Sequence, residues 1–341
     1  LCRTDLAARL AEACVKVMKE AFGMRKASTQ NMQLFTVECL CANMEFHRAL
    51  KQIRDLTHFV DKGVGPYEPI TLRSLISLSR VLGETGNFDE SMRMAEECLS
   101  RRRRRLGDQH PQTLIAWETL AWGMSKAGCH EGAIVQAQDL YQLRCRLLGA
   151  EHQDCLTSLS DKAEYLMQAG RYWDAHQAGR SCLLPQQKLL GAEHARVLRT
   201  KHNLAQCLVK LGHPEHTEEG VKYAKECLQS RIRVLGPDHP ATLDTLELVA
   251  RSISLLGTQV SNPAQRAEHH EEALERGEDA FKKRCRLLGE EHPKTLSSMR
   301  SLVQFRRLAH QAEAAVTLGQ ECLRLHQQVL GRLNDLTLQI Q

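Results

Sequence analysis

The sequence predicts an all-α protein built as a solenoid of antiparallel helix pairs. A phrase beginning Leu-Gly recurs along the chain, and the apolar residues between its copies follow a helical period. The composition agrees, because aromatic residues make up only 4% of the 341 residues and Pro numbers nine, which favours helix over strand.

The repeating unit is marked by an anchor glycine. Its fullest copy is Leu106-Gly107-Asp108-Gln109-His110-Pro111-Gln112-Thr113-Leu114. The anchors are separated by 42, 42, 42, 42, 45, 53 and 42 residues, which predicts one repeat array over residues 1–341. The eight anchors are Gly23, Gly65, Gly107, Gly149, Gly191, Gly236, Gly289 and Gly331.

A second glycine divides most units into two segments of helical length. Glycine adopts the left-handed backbone that often ends a helix, so each segment is predicted to be one helix that stops at its glycine. After each anchor, apolar residues recur three and four residues apart, and this spacing predicts the first of the two helices. The dividing glycines lie 21 residues after five anchors, at Gly86, Gly128, Gly170, Gly212 and Gly257.

The second helix of each unit has a position that holds Cys, Leu or Ala, nine residues before the next anchor. A position that accepts these three residue types is predicted to be buried and apolar, with reduced thiols rather than metal ligands or disulfides. A reducing, intracellular and most simply cytoplasmic location follows as an expectation. The residues at this position are Cys14, Leu56, Cys98, Leu140, Cys182, Cys227, Ala280 and Cys322.

The two longer intervals place insertions of three and eleven residues inside a unit, at residues 213–220 and 258–270. Both are predicted to be loops, and Ser261-Asn262-Pro263 makes the second the more mobile. Residues 1–22 match a second helix and residues 332–341 match the start of a first helix, so we expect the chain to be part of a longer protein.

These features resemble a known family. Leu-Gly-x-x-His-Pro-x-Thr-Leu before the first helix, and Gly170-Arg171-Tyr172-Trp173-Asp174-Ala175 before the second, look like the tetratricopeptide repeats of kinesin light chains. Similar repeats accompany nucleotide-binding sensor proteins of the NB-ARC type. The resemblance covers nearly the whole chain, and it implies a right-handed superhelix that binds other proteins.

Stacked repeats of this kind have a long surface lined by their first helices, where a peptide or a partner subunit would bind. We predict that positions eight and twelve after each anchor line this surface. The residues concerned are Arg73, Ser77, Thr119, Thr157, Asp161, Arg199, Asn203 and Asp244.

The densest charge cluster is a run of five arginines, Arg101, Arg102, Arg103, Arg104 and Arg105. One interpretation is a solvated face whose alkyl chains cover the surface. The alternative is a docking site for an acidic partner segment or a phosphate, because Arg binds both bidentately. Nucleic acid is disfavoured, since no aromatic residues are interleaved with the run.

No catalytic, cofactor or metal site is predicted. The sequence has no Walker loop, no Gly-x-Ser-x-Gly and no His-Glu-x-x-His. Five histidines recur once per unit, but packed helices lie about 8–10 Å apart, too far to share one metal, so these side chains are expected to fix helix starts. They are His110, His152, His194, His239 and His292.

Residues 1–341 contain no apolar run long enough to span a membrane and do not open on a charged-then-apolar leader, and their net charge is only +5. Organellar targeting stays open as an alternative to the cytoplasmic location. We therefore predict a non-enzymatic scaffold for a protein or peptide partner. The alternatives are a sensor array of a larger NTPase-type switch protein, and binding of nucleic acid or an acidic partner through residues 101–105.

Overall fold

A computed structural model of the chain describes residues 2–330, with side chains from residue 6 to residue 329. Every regular element in this range is an α-helix, which confirms the all-α prediction. The last predicted anchor, Gly331, lies outside the described residues. The helices are α1 (Cys2–Phe22), α2 (Ala27–Ala42), α3 (Phe46–Gly63), α4 (Pro69–Glu84), α5 (Phe88–Leu106), α6 (Pro111–Lys126), α7 (His130–Leu148), α8 (Gln153–Gln168), α9 (Tyr172–Leu190), α10 (Ala195–Leu211), α11 (Pro214–Leu235), α12 (Pro240–Gln259), α13 (Pro263–Leu288), α14 (Pro293–Leu308) and α15 (Ala312–Leu330).

The helices fall into two units, Leu1–Arg171 with α1–α8 and Tyr172–Gln341 with α9–α15. Within each unit every helix packs on the next one in the chain, and the first helices of neighbouring repeats also touch each other. In unit 1 these first helices are α2, α4, α6 and α8, and in unit 2 they are α10, α12 and α14. One continuous superhelix over the whole chain stays a prediction.

The repeat phrase encodes the turn between two helices. Gly107 ends α5 with a φ of 86°, and its N–H donates to the carbonyl of Arg103 at 3.0 Å. His110 then caps α6, because its Nδ1 accepts from the backbone N–H of Gln112 at 3.2 Å. The same cap recurs at His152, His194, His239 and His292, with distances of 3.1 to 3.2 Å, so the predicted role of the histidines is confirmed.

The predicted loop insertions at 213–220 and 258–270 are wrong, because most of their residues are helical. Pro214 begins α11 and Pro263 begins α13, and each proline takes the first helical turn, where a missing N–H costs nothing. The Asn262 side chain accepts from the N–H of Ala264 at 2.9 Å and caps α13. The inserted residues therefore lengthen helices, and only short turns remain between them.

The prediction that Gly257 ends a helix is also wrong. Gly257 lies inside α12, which continues to Gln259. A Cβ at this position would lie 2.8 Å from Cε1 of the buried His270 on α13. Glycine is needed here for the close approach of two helices and not for a left-handed turn.

The Cys, Leu and Ala position of the second helices forms part of the core, as predicted. Cys98, Cys182, Cys227 and Cys322 are all fully buried, as are their Leu and Ala counterparts. Burial raises the pKa of Cys98 and of Cys322 to about 11, which keeps both thiols protonated. Cys14 is the exception, because it is exposed on α1.

Candidate functional site

The first helices of unit 1 present an exposed row of side chains. On α4 the row consists of Arg73, Ser77, Arg80 and Glu84, which are three or four residues apart and so lie on one face of the helix. Arg73, Arg80 and Glu84 are exposed and Ser77 is half-buried, whereas most other residues of α4 are buried.

The row continues from one repeat to the next. Arg73 on α4 donates to Oδ1 of Asn31 on α2 at 2.9 Å. Lys126 on α6 lies 3.6 Å from Oε1 of Glu84 on α4. Since α2, α4 and α6 pack side by side, the exposed residues form one surface. We define it as the first-helix stripe, with Asn31, Phe35, Glu38, Arg73, Ser77, Arg80, Glu84, Ile115, Trp122 and Lys126.

Three large apolar side chains belong to the first-helix stripe, and the sequence prediction named none of them. Phe35 is 51% exposed and Ile115 is 37% exposed. The Trp122 indole is half-buried against Gly83, where a Cβ would lie 2.6 Å from the ring, and the Lys126 ammonium lies 5.4 Å from the ring centroid. Phe35 lies twelve residues after Gly23 and Ile115 lies eight residues after Gly107. These are the two repeat positions at which the polar lining residues were predicted, so the same spacing also indicates Phe35 and Ile115.

Two of the predicted lining residues are corrected by the structure. Thr119 is only 1% exposed, and its hydroxyl donates to the carbonyl of Ile115 at 2.9 Å. Thr157 is also buried, and its hydroxyl donates to the carbonyl of Gln153 at 2.9 Å. A threonine hydroxyl bonded to its own helix turns toward the backbone, so neither side chain can meet a ligand.

Arg73 and Ser77 lie in the first-helix stripe, while three further predicted residues are half-buried. They are Asp161, Arg199 and Asn203. Neither Asp161 nor Arg199 is free, because each already has an interaction partner. A role of these three in partner binding stays a prediction.

Asp244 belongs to an ion network in unit 2, and its side chain is 34% exposed, so its lining role stays a prediction. It accepts from Arg284 at 2.7 Å and from Nζ of Lys294 at 3.0 Å. Arg284 is buried and also donates to Glu247 and Ser298. A buried guanidinium needs such partners, so the Asp244 carboxylate already has a structural role in pairing with Arg284.

The same arginine recurs in four repeats, five residues before the anchor, and the sequence prediction missed it. Each of these side chains is buried and donates to the carbonyl ten residues later, on the next first helix. A guanidinium thereby ties the second helix of one repeat to the first helix of the next. The four residues are Arg102, Arg144, Arg231 and Arg284.

In unit 2, His202 lies beside one of these arginines. Arg231 donates to Oγ1 of Thr245 at 2.6 Å, and Nδ1 of His202 lies 3.3 Å from the same hydroxyl. Burial, and after it the positive charge of Arg231, lowers the pKa of His202 to about 3. His202 is therefore neutral at physiological pH.

The structure divides the predicted arginine patch into buried and exposed members. Arg102 is buried, and Arg101 is held by Oδ1 of Asp61 at 2.6 Å and by Oε1 of Glu97 at 2.5 Å. Arg103, Arg104 and Arg105 are exposed. The five arginines therefore do not form one exposed patch, because Arg101 and Arg102 serve internal contacts. A role of the exposed members in partner binding stays a prediction.

Nothing in the described part of the chain resembles a metal centre or a membrane anchor. Over these residues, no three His, Cys, Asp or Glu side chains are grouped so that they could hold a metal ion. No described helix is both long enough and apolar enough to cross a bilayer.

Comparison with known proteins identifies the repeat. The family model described as tetratricopeptide repeat matches residues 71–112, 197–241 and 264–294. A search of the curated proteins gave no match. The resemblance inferred from the repeat phrase is therefore confirmed.

Solved structures agree on the fold. A Podosopora anserina structure of nearly identical kinesin light chain TPR-like repeats is 22% identical, with a TM-score of 0.51, and covers 63% of this chain and 95% of its own. The apo quorum sensor NprR from B. thuringiensis is 10% identical, with a TM-score of 0.63 and coverage of 94% and 83%. A signal-transduction ATPase with a tetratricopeptide repeat sensor, from Pyrococcus horikoshii, is 12% identical, with a TM-score of 0.57 and coverage of 98% and 50%.

Proposed function

We propose that this array of tetratricopeptide repeats, similar to those of kinesin light chains, is a non-catalytic scaffold that binds a peptide segment of a partner protein. The first-helix stripe of unit 1 is the binding surface. One observation carries the proposal: exposed polar, charged and apolar side chains lie on one face of three packed first helices.

The chemistry of the first-helix stripe fits a peptide with both apolar and acidic residues. Phe35 and Ile115 expose apolar surface to solvent, and a partner side chain that covers them gains hydrophobic free energy. Arg73 and Arg80 present guanidinium groups that bind carboxylates bidentately. Because all four side chains stand on packed helices, little conformational entropy of the backbone is lost on binding.

A random peptide library displayed on phage, selected on the immobilised full chain, tests the proposal. The stripe variant carries Arg73→Glu and Arg80→Glu. The matched control carries Lys51→Glu and Arg93→Glu, two exposed residues on the second helices α3 and α5. We expect selected peptides to bind the stripe variant at least about tenfold more weakly, which corresponds to about 1.4 kcal/mol, and to bind the control as they bind the wild type.

Two outcomes contradict the proposal. One is that no peptide is enriched over selection on an unrelated helical protein. The other is that both variants weaken binding equally, because the peptide would then recognise bulk positive charge rather than the first-helix stripe.

A sensor array within a larger nucleotide-hydrolysing switch is the second candidate. The P. horikoshii ATPase carries the same fold in its sensor, and this chain covers half of that protein. A phosphate-binding loop in the same open reading frame would favour this role, and a continuous frame without one would favour the scaffold alone.

A further inference from the structure

We propose a second docking surface at the ends of the second helices of unit 1, which binds an acidic segment of a protein partner. We call this surface the repeat-end ridge. It consists of the basic residues Lys62, Arg104 and Arg146 and the apolar residues Tyr67, Leu106 and Leu148. It shares no residue with the first-helix stripe, so either surface can exist without the other.

The basic residues of the repeat-end ridge occupy one position of the repeat. Lys62, Arg104 and Arg146 each lie three residues before an anchor glycine, in the last turns of α3, α5 and α7. All three are exposed, and within the described residues none of them makes an ion pair or a side-chain hydrogen bond. Three cations in the same register are thus available to an external partner.

Apolar surface accompanies each of these charges. Tyr67, Leu106 and Leu148 are 41%, 37% and 43% exposed. They lie within five residues of Lys62, Arg104 and Arg146 respectively, at the same turns. Basic and apolar groups therefore recur together at the turns of three successive repeats.

A basic residue near a helix C-terminus also stabilises the helix dipole, which accounts for one cation per helix. The last turn of α5 contains three arginines, which is more than the helix dipole accounts for. Arg103 lies 3.0 Å from Oδ1 of Asp108 and 5.1 Å from the centroid of the Trp117 ring, and Arg105 donates to the carbonyl of Tyr67. Both flanking arginines are anchored, which leaves Arg104 free to bind a partner.

An acidic protein segment fits the repeat-end ridge better than other anions do. Nucleic acid would pair its phosphates with the cations but leave the leucines uncovered, and Tyr67 alone offers a ring for base stacking. Carboxylates with neighbouring apolar side chains match both components of the surface.

The test measures binding of a labelled synthetic peptide of Glu-Glu-Leu repeats to the full chain by fluorescence anisotropy. The ridge variant carries Lys62→Ser, Arg104→Ser and Arg146→Ser. The control removes three exposed basic residues elsewhere in unit 1, with Lys16→Ser, Lys51→Ser and Arg93→Ser. We expect about tenfold weaker binding to the ridge variant, because three exposed ion pairs with the peptide are lost, and unchanged binding to the control.

Salt provides a second measurement that needs no variant. Affinity of the wild type for the acidic peptide should fall as NaCl rises, because exposed ion pairs are screened. The proposal is overturned if the peptide does not bind the wild type, or if the ridge variant weakens binding no more than the control does. It is also overturned if oligothymidylate or phosphatidylserine vesicles bind more tightly than the peptide. The stripe variant with Arg73→Glu and Arg80→Glu separates the two surfaces. Loss of peptide binding in that variant alone overturns the ridge and supports the proposed function.

Discussion

Removing the Arg284 guanidinium should destabilise unit 2 far more than removing an exposed arginine. Arg284 is buried on α13, and it donates to Glu247 and to Asp244 on α12 as well as to the carbonyl of Lys294. In Arg284→Met, the buried Glu247 carboxylate keeps two hydroxyl donors, at 2.9 and 3.0 Å, and Arg251 at 3.9 Å.

Breaking a buried ion pair from one side costs about 3–5 kcal/mol, because the remaining charge stays out of water. We expect a loss of this size in the free energy of unfolding of Arg284→Met, measured by urea denaturation at neutral pH with circular dichroism. Adding Glu247→Gln should recover part of it, since the buried charge is then removed as well.

Arg276→Met is the matched control on the same helix. Arg276 pairs with Glu272 one turn earlier at 2.8 Å, and both side chains are partly exposed. Such a pair contributes about 0.3–0.5 kcal/mol. The reasoning is refuted if Arg284→Met and Arg276→Met lower the free energy of unfolding by the same amount, or if Glu247→Gln deepens the loss.

Two further predictions concern packing and pH. In Gly277→Ala the new Cβ would lie 2.5 Å from Cδ2 of the buried Phe305, so we expect the free energy of unfolding to fall by about 1–3 kcal/mol. The control is Gly319→Ala, at the same repeat position, where the nearest atom to the new Cβ lies at 3.7 Å. It should not lower the free energy of unfolding in the same urea assay. Burial lowers the pKa of His202 from 6.5 to about 3. Between these two pH values the imidazole is protonated in the unfolded chain and neutral in the folded chain, so the free energy of unfolding should fall as pH drops from about 6.5 toward 3. The difference in unfolding free energy between pH 7 and pH 5 should shrink by about 2 kcal/mol in His202→Gln, and an unchanged difference would show that His202 is not buried in this way.

The repeat architecture could be predicted from the sequence because its signals are local. A glycine such as Gly107 and a histidine such as His110 act within a few residues of their own position, on the backbone of one turn. The anchor spacing then places these turns along the chain. The helix ends and the histidine caps followed from residues that lie next to each other in sequence.

Contacts between helices could not be predicted in this way. Gly212 and Gly257 stand at equivalent spacings, yet Gly212 ends α10 with a φ of 76° and Gly257 lies inside α12. What distinguishes them is His270, which packs against Gly257 from another helix. The sequence spacing alone contains no information on that contact.

In the candidate site, too, exposure along one helix could be predicted from the sequence, whereas contacts between helices could not. The register predicted which face of α4 is exposed, so Arg73 and Ser77 were found. The run of arginines from 101 to 105 suggested one charged face, but Arg102 points into the protein and bonds to the carbonyl of Gln112. The signal that could have shown this was Arg144, at the same position of the next repeat.

Site-specific photo-crosslinking would show directly whether a selected peptide lies on the first-helix stripe. A photoreactive residue would be introduced at Arg80, in the first-helix stripe, and separately at Arg93, on the second helix α5, and each protein irradiated with the tightest-binding selected peptide. We expect a crosslinked product, identified by mass spectrometry, from position 80 and none from position 93. Crosslinking from position 93 with none from position 80 would contradict it.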